Sequence, residues 1–292
     1  MANFWTSSQC AFMSTLSSSR MNASDEEALG AASIAALHAH FIELLQTVGK
    51  SLKCRQRVVA TSYVYFKRLY LVRGFQEVDP LLAVAATLWL ATKTEEFSQP
   101  VALVLEKLVE CTRRSSSSSH ATERTRAQRI RPQDVVACEL VVLAALDFEL
   151  VVHHPYRDLV KYVHDLDLER GESEVMQTAW SVVNDSFYTQ LCLHVPPFAI
   201  ALAALFIACT HAGYDCAEWL AAQNVRDSEF KWLVAQLVEL YAERAGAEER
   251  AGGEGGERAE SKERPVLFLK AAKATMHLGV PPCIFICVCL FN

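Results

Sequence analysis

Four charged residues at the edges of apolar segments are the residues of this sequence best placed to do chemistry. Lys93 follows the apolar run Leu81–Ala91 and precedes Glu95 and Glu96, and Glu139 interrupts an apolar segment of its own. A core excludes charged side chains unless they are paired. Two interpretations stay open. In the first, the charges lie at an exposed helix edge or form an ion pair within the chain. In the second, they belong to a face that binds a partner, and they set the register of that interface.

A second polar set shares one face of a predicted helix. Trp180, Asn184 and Tyr188 recur every four residues, with Asp185 beside them, so polar groups stand where such a face would otherwise be apolar. These residues and Tyr241 line a groove in one interpretation. In the other, they cap or bond a neighbouring helix of the same chain.

The histidines and cysteines lack the spacing of a metal or catalytic site. His153 and His154 have no Cys or carboxylate at ligand spacing, and the run formed by Cys283, Cys287 and Cys289 is atypical of zinc. The sequence contains no glycine-rich phosphate loop, serine nucleophile elbow or HExxH motif. We therefore expect no catalytic residue, no metal and no cofactor.

Composition predicts a helical protein of a reducing compartment. Only 11 of the 292 residues are glycine, and Ala, Leu, Val and Glu dominate, which favours helices. The formal net charge of −6, from 28 Lys and Arg against 34 Asp and Glu, argues against a broadly basic nucleic-acid binder. Most of the 10 cysteines lie singly in apolar patterns, as buried free thiols do. No apolar run reaches the roughly 20 residues of a membrane span.

Prolines divide the chain into helices, since proline is tolerated in the first turn of a helix and hardly inside one. The prolines that open periodic segments are Pro80, Pro100, Pro132, Pro155 and the pair Pro196 and Pro197. Together with the remaining periodic segments, they predict about ten helices in two groups, which meet near residues 149–154.

Each group contains one helix that is apolar on nearly every side, Leu81–Ala91 in the first and Phe198–Cys209 in the second. A helix of this kind is normally surrounded by others. The sequence therefore predicts an all-α fold built of two five-helix repeats, each around a central apolar helix.

Three segments fall outside the repeats. Residues 111–131 hold five consecutive serines and six arginines against one glutamate, and we expect a disordered basic loop there. The predicted domains are an N-terminal arm at 1–25, repeats at 26–150 and 151–244, and a disordered linker and tail at 245–292. The arm carries one aromatic anchor, Phe4-Trp5, and the tail ends in the apolar run Cys283–Phe291.

Several stretches resemble the cyclins in their order and spacing. The third predicted helix ends in LATKTEEF (Leu90–Phe97), which is similar to the LASKxEE signature of cyclins, and the fifth reads ACELVVLAALDFEL (Ala137–Leu150). Further matching stretches are Asn3–Trp5, Leu52–Tyr70 and Ala179–Cys209. The resemblance covers about 1–5 and 26–244, and it is strongest to the transcriptional branch of the family.

The resemblance implies tandem cyclin boxes in a nuclear regulatory subunit, not an enzyme. Its partner would be a cyclin-dependent kinase of the Mediator-associated type, whose C helix it holds inward, together with other subunits of the Mediator kinase module. It implies no direct contact with nucleic acid or membrane. The implied kinase-binding residues are Lys93, Glu139, Glu95, Glu96, Phe4 and Trp5.

The sequence also departs from the family and leaves alternatives. The first predicted helix lacks the Met-Arg-Ala-Ile-Leu patch with which cell-cycle cyclins dock substrates, and residues 6–24 look less helical than the N-terminal helix of the family. The alternatives are a cyclin H-like subunit of another transcriptional kinase, a TFIIB-like helical-repeat transcription factor, and an enzyme with an unfamiliar helical site.

Overall fold

A computed structural model describes residues 4–16, 30–114, 118–166, 173–223 and 226–250. The regular elements of these ranges are all helices, which confirms the all-α fold expected from the sequence. The chain divides into two compact units, with the boundary after His154. The bounds 26–150 and 151–244 given above for the two repeats stay predictions.

Among its described residues, the first unit has a 3-10 turn followed by seven α-helices. The turn is Phe4–Thr6, and the helices are α1 (Ser8–Leu16), α2 (Ala31–Ser51), α3 (Gln56–Val72), α4 (Pro80–Thr94), α5 (Val101–Arg114), α6 (Ser118–Ala127) and α7 (Pro132–Ala145).

The central helix of this unit is α4. It begins where the sequence predicts, because Asp79 is its N-cap, with Oδ1 accepting a hydrogen bond from the Leu81 amide at 2.9 Å, and Pro80 fits the first turn. The residues Leu81–Leu88 are buried except for Leu82. The helix packs against α2, α3, α5, α6 and α7, so the helix that is apolar on all sides is the surrounded one.

The second unit repeats this plan around another apolar helix. Its helices are α8 (Tyr156–Asp165), α9 (Ser173–Ser186), α10 (Leu191–His194), α11 (Pro197–Ala212), α12 (Ala217–Ala221) and α13 (Asp227–Arg250). The central helix α11 packs against α8, α9, α10 and α13. It ends at Gly213, whose φ of 77° is a conformation that glycine adopts without strain.

The expectation of a disordered loop at residues 111–131 is wrong for most of that segment. Helix α5 continues to Arg114 and α6 occupies Ser118–Ala127. Tertiary contacts hold α6: Glu123 lies 3.0 Å from His40, Arg126 donates to Asp79 at 2.7 Å, and Ala127 is buried. These partners lie far away in the sequence, so the composition of the segment alone could not reveal them.

The expected arm and linker are also partly helical. In the arm, α1 buries Gln9 and Met13, so residues 8–16 form a packed helix where the sequence suggested weak helicity. At the other end, α13 continues to Arg250, so residues 245–250 extend that helix. The predicted apolar tail Cys283–Phe291 lies outside the described residues.

Candidate partner-binding site

Lys93 and Glu139 meet at the surface of the first unit. Lys93 is in the last turn of α4, and its Nζ donates to Oε1 of Glu139 near the middle of α7. The same Nζ lies 3.8 Å from the ring centroid of Trp89, a ring fixed by its Nε1–H bond to the Gln99 carbonyl at 3.0 Å. The ion pair within the chain, which the sequence left open, is therefore formed.

An apolar face of α7 surrounds this ion pair. Val136, Leu140 and Leu143 lie at helical spacing on the side that carries Glu139, and Leu140 is 65% exposed. Just beyond the helix, Phe148 is 68% exposed. Large apolar side chains that cluster in solvent around a charged pair indicate an interface.

Sequence reasoning did not single out these apolar residues. Helix α7 is apolar on most of its sides, so its periodicity does not show which side stays uncovered. Packing decides it: α4 covers the side that carries Val135, Cys138 and Val142, which are buried, and the opposite side remains in solvent.

The C-terminal end of α4 forms a Schellman motif. The amide of Phe97 donates to the Thr92 carbonyl at 2.8 Å, and the amide of Glu96 to the Lys93 carbonyl at 3.3 Å. This places Glu96 at the position where glycine is usual, with a φ of 54°. A side chain there costs about 1 kcal/mol. Glu96 is exposed, so its carboxylate stands in solvent three residues from Lys93.

Glu95 has the opposite environment. Its side chain is only 8% exposed, and its Oε2 accepts from Arg57 Nε at 2.5 Å, while Oε1 accepts from the Thr61 hydroxyl at 2.7 Å. His154 Nε2 lies 2.7 Å from that hydroxyl. Burial, and then the nearby Arg57 guanidinium, lower the pKa of His154 to about 3, so the ring is neutral and donates to Thr61. Glu95 therefore anchors the end of α4, and only Glu96 is available to a partner.

Phe4 and Trp5 lie near His153, the residue before His154 in the sequence. Phe4 packs edge-to-face with His153 at 5.9 Å between ring centroids, and with Trp5 at 5.4 Å. Gln9 fixes the segment, since its Oε1 accepts from the His153 amide at 2.6 Å. Trp5 remains 62% exposed, so the segment is held by its own unit and leaves one indole in solvent.

The expected groove in the second unit divides into two sets of internal bonds. Trp180 packs on Tyr156 with 4.7 Å between ring centroids, and Asn184 Oδ1 accepts from the Tyr156 hydroxyl at 2.8 Å. These contacts join α9 to α8. They match the alternative in which the polar stripe bonds a neighbouring helix.

The second set joins α9 to α13. Asp185 is buried; its Oδ2 accepts from the Tyr241 hydroxyl at 2.9 Å and its Oδ1 from Arg244 at 3.0 Å. Tyr241 is buried too, and Arg244 lies over the Tyr188 ring at 3.9 Å. The polar groups of Asp185 and Tyr241 are therefore used within the unit, while Trp180, Asn184 and Tyr188 are half-buried, and a groove lined by these residues stays a prediction.

No metal centre is found in the part of the chain that the structure describes, where no three His, Cys, Asp or Glu side chains gather. Cys283, Cys287 and Cys289 lie outside that part. Over the same residues, no helix combines the length and the apolar character that crossing a bilayer requires.

Comparisons with known proteins show the family to which this helical chain belongs. The family described as Cyclin, N-terminal domain, matches residues 17–151. Rat cyclin-C is 34% identical over 215 residues, which is 73% of this chain and 75% of the relative. The chain belongs to the cyclin family.

The curated relatives place it with the cyclin C proteins. Besides the rat protein, cyclin-C of Drosophila melanogaster is 34% identical over 69% of this chain and 73% of the relative, and cyclin-C1-1 of rice is 30% identical over 82% and 89%. The cyclin resemblance inferred from the sequence is confirmed.

Solved structures share the fold. A chain of the yeast RNA Pol II CTD kinase CTDK-1 complex matches with a TM-score of 0.59 and 16% identity over 86% of this chain and 83% of its own length. A chain of the Chaetomium thermophilum CAK complex matches with a TM-score of 0.60 and 18% identity over 94% and 92%. At these identities the likeness concerns the fold alone.

Proposed function

We propose that this chain is the regulatory subunit of a transcriptional cyclin-dependent kinase and that it binds the kinase through α4 and α7. The observation that carries the proposal is the exposed apolar face of α7 around the Lys93–Glu139 pair. An apolar centre with a charged pair inside it supplies both the buried area and the register of an interface.

The comparisons support a kinase partner. The curated relatives are cyclin C proteins, and the solved chains that share the fold come from complexes named for an RNA polymerase II CTD kinase, CAK and TFIIK. Cyclins are regulatory subunits and not the catalytic ones. We extend the proposal to the Mediator-associated kinase module and to action in the nucleus, which the cyclin C relationship favours.

Activation follows from where the partner would lie. A kinase whose C helix packs on α7 is held with that helix inward, so that its glutamate reaches the ATP-binding lysine. Lys93 and Glu139 then bond the kinase segment around the C helix. Phe148 and Leu140 bury apolar area against it, and Trp5 adds a further aromatic contact.

Glu96 supplies an anion in this proposal. Many such kinases carry an arginine cluster that otherwise awaits a phosphate on the activation loop, and a fixed carboxylate satisfies the same guanidinium groups. The strained, exposed backbone position of Glu96 suits this role because strain of this kind collects at functional sites. Glu95, bonded to Arg57 and Thr61, does not share the role.

The test is affinity purification of the full chain from its own cells, with mass spectrometry of the captured kinase. Lys93→Ala/Glu139→Ala removes both charges and should weaken capture by about 2–5 kcal/mol. The matched control is Lys161→Ala/Asp158→Ala, which removes an exposed pair of α8.

The proposal fails if no cyclin-dependent kinase is captured, or if the double variant captures it as well as the control does. The identity of the captured kinase separates the Mediator-associated type from the kinase of a cyclin H-like subunit. The family relationship leaves no support for the TFIIB-like and enzyme alternatives.

A further inference from the structure

Two shallow grooves lie on the side of the first unit formed by α5 and α6. The larger, of about 500 Å³, follows one stripe of α5 that includes Leu105 and Val109 and reaches the turn after α6. The smaller, of about 220 Å³, lies between Leu82 of α4 and Arg129. Ile130 lines both of them, so the two grooves are adjacent, and apolar side chains contribute to the lining of each.

Four carboxylates and three arginines line the two grooves, and the charged side chains of the lining that form no ion pair with another described residue are two arginines and one glutamate. Arg113 lines the larger groove and Arg129 the smaller. Both are exposed, as is Arg124 on α6, which lines neither groove. No ion pair joins these three guanidinium groups to another described side chain.

The carboxylates of the lining are mostly neutralised. Asp79 is paired with Arg126 at 2.7 Å, Asp134 with Arg131 at 3.1 Å and Glu110 with Lys107 at 2.8 Å. Glu106 is the remaining carboxylate of the lining. Residues 113–131 carry six arginines against one glutamate in a chain of net charge −6, so the positive charge is local.

We propose that this α5–α6 surface, defined by Leu82, Leu105, Val109, Arg113, Arg129 and Ile130, binds an acidic peptide segment of a partner protein that also carries apolar side chains. Arginine binds carboxylates in a bidentate manner, and the apolar side chains of the lining accept those of the peptide. A nucleic-acid strand fits less well, because the lining has no aromatic residue for base stacking. The surface includes neither Lys93 nor Glu139, so it is independent of the proposed kinase contact.

The test is fluorescence anisotropy of the full chain with a labelled peptide composed of Glu, Asp and Leu. Its neutral analogue, with Gln and Asn in place of the acids, and a single-stranded DNA oligonucleotide serve as competing probes. We expect the acidic peptide to bind and the other two to bind at least about tenfold more weakly. Arg113→Gln/Arg129→Gln should lower the affinity for the acidic peptide by roughly tenfold or more. Arg55→Gln/Arg226→Gln, an equal charge change at exposed positions elsewhere, should leave it unchanged.

A second measurement does not depend on the variants. A photoreactive group on the acidic peptide should label the wild-type chain in α5 or at residues 127–130. The proposal is overturned if the acidic peptide does not bind, if the neutral analogue binds equally well, if the double variant binds like the control, or if labelling falls elsewhere. DNA that binds more tightly than the peptide and is lost in the double variant would assign the surface to nucleic acid instead.

Discussion

Lys93 and Glu139 lie 46 residues apart in the sequence and are bonded to each other across α4 and α7. We propose that a partner bonds both side chains, and in the free chain each of them is already bonded to the other. Such a pair is held in one orientation before the partner arrives, which lowers the entropic cost of ordering it. A partner then adds bonds to a fixed pair.

Charge reversal separates the structural role of this pair from its role in binding. Lys93→Ala or Glu139→Ala should lower the free energy of unfolding by about 1–2 kcal/mol, since one charge is left half-buried and unpaired. Lys93→Glu/Glu139→Lys should regain most of that stability in urea denaturation but should not regain kinase capture. Wild-type capture by the reversed pair would show that the pair serves the fold alone.

Glu96→Gly should change stability and activation in opposite directions. Removing the side chain relieves the left-handed strain and should raise the free energy of unfolding by about 0.5–1 kcal/mol, measured by chemical denaturation. The associated kinase activity should fall by roughly tenfold because the anion is lost. Glu96→Gln is the control that keeps the strained backbone and removes only the charge; unchanged kinase activity in both variants would contradict the proposed role.

Two histidines with a depressed pKa, His38 and His154, should make the fold sensitive to acid. Burial lowers the pKa of His38 and of His154 to about 3 in each case, below the value of about 6.5 in an unfolded chain. The unfolded chain therefore binds protons at these two rings that the folded chain does not bind. Each histidine should cost up to about 1.4 kcal/mol of stability per pH unit as the pH falls from about 6.5 towards 3.

His154→Gln tests this dependence. The glutamine amide can still donate to Thr61 but does not titrate. The free energy of unfolding, measured between pH 7 and about pH 5, should therefore depend less steeply on pH than in the wild type. His164→Gln, at an exposed ring of α8, is the control. A slope that is the same in both variants would exclude His154 as a source of the acid sensitivity.

Tyr241→Phe tests the assignment of Asp185 to internal bonding. It removes the hydroxyl that donates to the buried carboxylate and should cost about 1–2 kcal/mol in urea denaturation, while kinase capture stays at the wild-type level. Tyr162→Phe removes a hydroxyl that is not bonded to another described residue and should cost less than about 0.5 kcal/mol. Loss of kinase capture in Tyr241→Phe, with the fold retained, would restore a binding role for this region.

The central helices could be predicted from the sequence because their signals are local. Asp79 and Pro80 mark the start of α4, and an apolar composition on all sides requires surrounding helices. Helix α6 could not be predicted, because the residues that hold it, His40 and Asp79, belong to α2 and to the N-cap of α4.

The site was only partly predictable for the same reason. Lys93 and Glu139 stood out as charges in apolar surroundings, yet nothing in the sequence states that they bond each other. Glu95 and Glu96 are adjacent and chemically alike, but the left-handed residue at the helix end sends one into the protein and the other into solvent.

Helix α4 is one uninterrupted element from Pro80 to Thr94, and its two ends lie near different surfaces. Asp79 and Leu82 border the α5–α6 surface, while Lys93 lies about 21 Å from Asp79 along the axis. Segments bound near these two ends would be held at a separation that the length of this one helix sets. The first unit can set the distance between a kinase and a second protein that it holds at the same time.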